Sequence, residues 1–122
     1  MTDPNQMEQT LFSLILYAGN ARSKAKEAAE LAETGDWEAA RAALEEANAE
    51  QYKAHQINAD LIRAEASGET AIPFSVLLVH AMDLLLLAWS ELDYTEQYIK
   101  MCQRIAALEE EVTRWRNQAS KS

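Results

Sequence analysis

Only two short stretches of this chain are built to stop a helix. The first is Gly35-Asp36, where glycine supplies a C-terminal stop and aspartate caps whatever follows. The second is Ser67-Gly68-Glu69-Thr70, with Pro73 just beyond it. In 122 residues there are three glycines and two prolines, while alanine, leucine and glutamate abound. A chain so composed spends most of its length in long helices joined by short connections. The predicted elements are a helix from about Met7 to Glu33, a second from Trp37 to Ala66, and a third starting between Pro73 and Val76 and reaching about Trp115. Connections this short favour an all-α, antiparallel up-down-up bundle in one small domain.

The apolar spacing within each helix says what it packs against. In the first, Leu11, Leu14, Ile15, Ala18, Arg22 and Ala25 recur at three-four spacing. Gly19 lies on this helix at a cost of about 1 kcal/mol relative to alanine, which suits a close helix approach. The second carries a narrow stripe of Ala39, Ala40, Ala43, Leu44, Ala47 and Ala54, then Ile57, Leu61 and Ile62. The third is apolar nearly all round from Val76 to Leu87, so burial on more than one side is expected. A lone three-helix unit cannot cover such a surface, and self-association around helix three follows. Farther on, Tyr94, Tyr98, Met101, Ile105, Leu108, Val112 and Trp115 step by fours and threes as a heptad seam. Residues 1–100 thus read as the bundle and 101–122 as a helical extension of helix three. That extension either folds back on its own subunit or forms a parallel coiled coil between subunits.

Charge and motifs exclude several functions. The formal net charge is −9, from 20 acidic and 11 basic residues, which disfavours nucleic acid and anionic membrane as partners. No apolar run reaches spanning length without including a His and an Asp, and the first residues lack the pattern of a secretory signal. One cysteine, Cys102, gives no internal disulfide, so a cytoplasmic location is expected. There is no Walker loop, no HExxH and no clustered cysteines.

The most chemical feature left is His80 with Asp83 one turn on, inside the apolar run Val76–Leu87. Burying an imidazole and a carboxylate there needs compensation. Two readings stand: a core histidine hydrogen-bonded by its neighbour, or a functional group. Without metal-site spacing, the functional version is a phosphoryl acceptor. A neutral imidazole keeps an unprotonated ring nitrogen near neutral pH and can capture a phosphoryl group covalently.

Several ordered blocks now carry a resemblance. They are Gly19-Asn-Ala-Arg22-Ser23-Lys-Ala-Lys-Glu27-Ala28, Gly35-Asp36-Trp37-Glu38-Ala39-Ala40, Ala54-His55, Leu61-Ile62-x-x-Glu65-Ala66-x-Gly68-Glu69 and Leu78-Val79-His80-Ala81-x-Asp83-x-Leu85. Over about residues 8 to 100 the chain resembles the lactose/cellobiose-type IIA component of the bacterial phosphoenolpyruvate-dependent sugar phosphotransferase system. The resemblance implies three antiparallel helices per subunit and a homotrimer. It implies that His80 accepts phosphate from the phosphocarrier HPr and passes it to a IIB component. It further implies that Asp83 lies on the trimer axis, where three copies hold a divalent, Mg-like cation; a hydrogen bond to His80 is the other role open to Asp83. His55, Asn58, Arg22 and Met82 are the candidates for the surroundings of the phosphoryl group. His55 is either a packing residue or part of that shell, and Arg22 either faces phosphate or forms an ion pair.

The chain departs from the family pattern near the site. H-A-Q-D-H-L-M becomes His80-Ala81-Met82-Asp83-Leu84-Leu85-Leu86, and H-x-x-Q-T becomes His55-Gln56-Ile57-Asn58-Ala59. Methionine and leucine give a phosphoryl oxygen no strong donor. A non-catalytic oligomerisation or regulatory module that keeps the IIA fold is therefore the alternative function.

Overall fold

A computed structural model describes residues 3–121; Met1, Thr2 and Ser122, at the ends of the two segments expected from the sequence, lie outside it. Three helices run α1 (Pro4–Glu33), α2 (Trp37–Ala66) and α3 (Val76–Ala119), and no strand occurs among the described residues. The all-α, three-helix expectation holds. α1 begins three residues earlier than the spacing suggested because the Asp3 carboxylate accepts from the Asn5 amide at 3.2 Å and Pro4 suits the first helical position.

Both stops act through glycine. Gly35 (φ +81°) and Gly68 (φ +79°) take the left-handed conformation that ends α1 and α2. Asp36 then caps α2 by accepting from the Ala39 amide at 3.2 Å. Ser75 caps α3, its hydroxyl accepting from the Leu78 amide at 3.0 Å.

α1 packs against both other helices, and α2 and α3 touch each other less. Near the α2–α3 connection the core joins Leu11, Leu14, Ala18, Ala47, Ala54, Ala81, Leu85 and Leu92. Toward the α1–α2 turn it continues as Ala28, Ala32, Ala40, Ala43, Leu44 and Ile99. Among the described residues, eleven of the seventeen buried apolar ones are alanine, so the helices sit close and bury small side chains.

The large side chains are mostly outside. Of seventeen exposed large apolar residues among those described, twelve lie on α3, from Val76 to Trp115. A monomer ordinarily arranges these sizes the other way, and exposed apolar surface of this kind is common at interfaces. No helix among the described residues is long and apolar enough to cross a membrane.

Candidate functional site

Two lines of residues divide α3. Ala81, Leu85, Ala88, Leu92, Thr95 and Ile99 form the buried line, stepping by four and three. The opposite line, Val76, His80, Asp83, Leu87, Ser90 and Tyr94, steps the same way and is exposed. The sequence suggested that His80 and Asp83 are buried in an apolar run; within one chain both are exposed. The reason is geometric. Ala81, Leu85 and Ala88 occupy the single core that three helices offer, and a period near 3.6 turns residues 80 and 83 away from it.

The outer surface carries several exposed apolar side chains on the same helix and on α1. On α3, Leu86 and Leu87 are 62% and 49% exposed; on α1, Phe12 and Leu16 are 52% and 58% exposed. His80 lies in the second turn of α3, behind the cap made by Ser75. Its side chain is exposed on the outer face of the single chain.

The other residues singled out from the sequence are not gathered around His80 in the same chain. Met82 is two positions along α3, about 200° around the helix from His80. It lines a cavity of about 350 Å³ between α2 and α3, together with Asn58, Leu61, Leu78 and Leu86. His55 is half-buried on α2, its ring 5.1 Å from that of Trp89 in an edge-on arrangement at 65°. Its Nδ1 is buried without a hydrogen-bond partner, as is Oε1 of Gln51 one turn earlier. The Gln51 amide is oriented by its other end, where Nε2 donates to the Leu85 carbonyl at 3.2 Å.

Arg22 resolves as an ion pair. Its Nε donates to Glu91 at 2.9 Å, and its second guanidinium contact to the same carboxylate is also 2.9 Å. The hydrogen bond, and then the negative charge of Glu91, raise the guanidinium pKa further. Glu91 lies eleven residues past His80, about 16 Å along the axis, so Arg22 does not face the imidazole of its own chain.

Sequence reasoning missed Glu91 and the groove it borders. Between α1 and α3 a cleft of about 1010 Å³ is lined by Gly19, Arg22, Lys26, Glu91, Tyr94 and Tyr98. Gly19 was expected to admit a close helix, yet a Cβ built there meets nothing within 4 Å in its own chain. The heptad seam through Tyr94 was the available signal for this face, since it marked a side of α3 that the bundle does not use.

Among the described residues of one chain, no group of three or more His, Cys, Asp or Glu side chains could hold a metal ion. Chemically, a single chain presents an open imidazole, a neighbouring carboxylate on the same exposed line, and apolar flanks.

Comparison with known proteins gives these features a context. Residues 9–103 match the family model described as the lactose/cellobiose-specific IIA subunit of the PTS system. The chain is 41% identical to the lichenan-specific phosphotransferase enzyme IIA component of Bacillus subtilis (strain 168) over 100 residues, 82% of this chain and 90% of that one. It is 32% identical to the PTS system lactose-specific EIIA component of Lacticaseibacillus casei over 109 residues, 89% of this chain and 96% of the other. Its fold superposes on the crystal structure of the PTS cellobiose-specific enzyme IIA from Bacillus anthracis with a TM-score of 0.79 and 36% identity, covering 88% of this chain and 95% of that one.

Proposed function

This chain belongs to the lactose/cellobiose-specific IIA family of the sugar phosphotransferase system, and on that premise we propose that it carries a phosphoryl group on His80. HPr is the donor and a IIB component of a sugar transporter the acceptor, and the exchange takes place in the cytoplasm. The unprotonated imidazole nitrogen attacks phosphorus; a P–N bond forms at His80 as the bond from phosphorus to the donor breaks. The reverse sequence at the acceptor regenerates the free imidazole. The observation that carries this reading is the exposure of His80 on an apolar outer face. An imidazole sealed in the bundle would be unable to meet two protein partners in turn.

The working form is a homotrimer with α3 from each copy around the axis. Support comes from the twelve large apolar residues that α3 leaves exposed, against a core made mainly of alanine. Such packing also makes the site composite. His80 leans to one side of the exposed line, and the cavity holding Met82 and Asn58 opens on the other, so one chain's imidazole faces its neighbour's cavity.

Asp83 shares the exposed line and comes to the axis in this arrangement. Three carboxylates converging away from water repel strongly unless protons or a cation offset them. Three copies of Asp83 would supply oxygen ligands of the kind a Mg-like ion prefers; among the described residues of one chain no such cluster is gathered. Bound there, such an ion would neutralise the converging negative charge.

The test is incubation with phosphoenolpyruvate, enzyme I and HPr. Rapid formation of an acid-labile, alkali-stable adduct that a IIB protein discharges supports the carrier. An unlabelled but trimeric protein would favour the alternative, an oligomerisation module; Met82, Leu84 and Ala59 supply no strong donor around the site.

A further inference from the structure

The third helix outruns its bundle. Ala106 is the last half-buried residue, set against the α1–α2 turn with Trp37 and Cys102. Every described residue from 107 to 121 is exposed, yet the helix continues unbroken to Ala119, about 20 Å farther. This stretch also lies past the 9–103 span matched by the family.

Leu108, Val112 and Trp115 are 59%, 48% and 75% exposed and touch no part of the bundle core. They extend the outer line of α3. From Val76 the steps run through His80, Asp83, Leu87, Ser90, Tyr94, Tyr98, Met101, Ile105, Leu108 and Val112 to Trp115, in fours and threes with one extra four at Tyr94–Tyr98. That extra four is a stutter, which locally unwinds a coil without turning the line off its face.

From these observations we propose that residues 104–119 form a parallel coiled-coil stalk with the same segment of the neighbouring copies, in register on the axis of the bundle. It rests on the homotrimer proposed above. The occupant follows from charge. With Ile105 and Val112 at a positions and Leu108 and Trp115 at d, each residue just before an a position meets a neighbour's residue five places on. Those pairs are Arg104 with Glu109 and Glu111 with Arg116, opposite in sign both times. None of the four forms an ion pair with another described residue of its own chain.

Fewer than three heptads cannot hold together alone. Joined to a trimeric bundle, however, the segments meet at high effective concentration. The stalk therefore adds to the assembly rather than creating it, and the bundle sets the number of strands.

Two measurements on the full chain test this. Leu108→Asp/Val112→Asp alters exposed side chains outside both core clusters, so helicity should stay unchanged. Sedimentation should show half-dissociation at a concentration about tenfold higher or more. An equal dissociation concentration for variant and wild type overturns the stalk while leaving the trimer standing. A wild type that is monomeric throughout overturns the trimer, and the stalk with it. In a Cys102→Ala background, Val112→Cys should link pairs of copies on mild oxidation; an intact trimer that does not cross-link contradicts the parallel register.

Discussion

Arg22 of α1 holds Glu91 of α3 through two contacts of 2.9 Å, midway along the bundle and on the rim of the α1–α3 groove. A bidentate guanidinium–carboxylate pair fixes relative orientation as well as supplying energy. Both side chains are about 40% exposed, so water and salt screen the pair. Glu91→Gln should cost about 0.5–1 kcal/mol of bundle stability, less at high salt. Denaturant titration at two ionic strengths checks this, and labelling at His80 should be unaffected.

If the proposed trimer sets the cavity between α2 and α3 against a neighbour's His80, that cavity bears on the rate of transfer. Met82 and Asn58 line it among leucines, and methionine offers a phosphoryl oxygen no strong donor. Met82→Gln puts an amide where the family pattern has one. The variant should accept phosphate from HPr several-fold faster, about 2–10-fold if one hydrogen bond to the transferring group is gained. Rapid-quench measurement of adduct formation decides it, and an unchanged or slower rate would separate this cavity from the reacting group.

Asp83 is a test of placement. If its carboxylate meets two copies of itself, Asp83→Leu should stabilise the assembly under chelating conditions by about 1–4 kcal/mol, as when buried charges give way to apolar residues of similar size. Added Mg²⁺ should raise the melting temperature of the wild type and leave the variant unmoved. A destabilised variant would place Asp83 off the axis.

Tyr98 bears on stability at alkaline pH. Its hydroxyl donates to the Glu33 carboxylate, and that bond chiefly, with smaller contributions from burial and the nearby Cys102, holds the phenol above its ordinary range. A pKa raised in the folded state means that the stabilisation is complete below the unfolded phenol's pKa and is lost as pH rises through the folded value. The wild type should therefore lose stability at strongly alkaline pH, and Tyr98→Phe should flatten that part of the profile. Thermal melts from neutral to alkaline pH make the comparison.

How much of this was legible beforehand varies with the kind of residue. Gly35, Gly68 and Asp36 act locally, and their chemistry placed the helix boundaries within a few residues. The alanine stripe of α2 likewise showed where helices pack closely. His80 and Asp83 were legible as a pair but not as exposed ones, because an all-round apolar run does not say which face its own bundle uses. Arg22 had two open roles, since the partner that chose between them, Glu91, lies 69 residues away. The grouping of Met82 with Asn58 was likewise hidden. Helix spacing alone sets residues 80 and 82 on opposite sides, but only packing against α2 shows that Met82 joins Asn58 there.

The central claim concerns one of two imidazoles in the chain. After phosphorylation by phosphoenolpyruvate, enzyme I and HPr, site mapping under alkaline conditions should find one phosphate per chain, on His80, and none on a His80→Ala variant. Phosphate on His55, or labelling that survives in His80→Ala, would contradict the account.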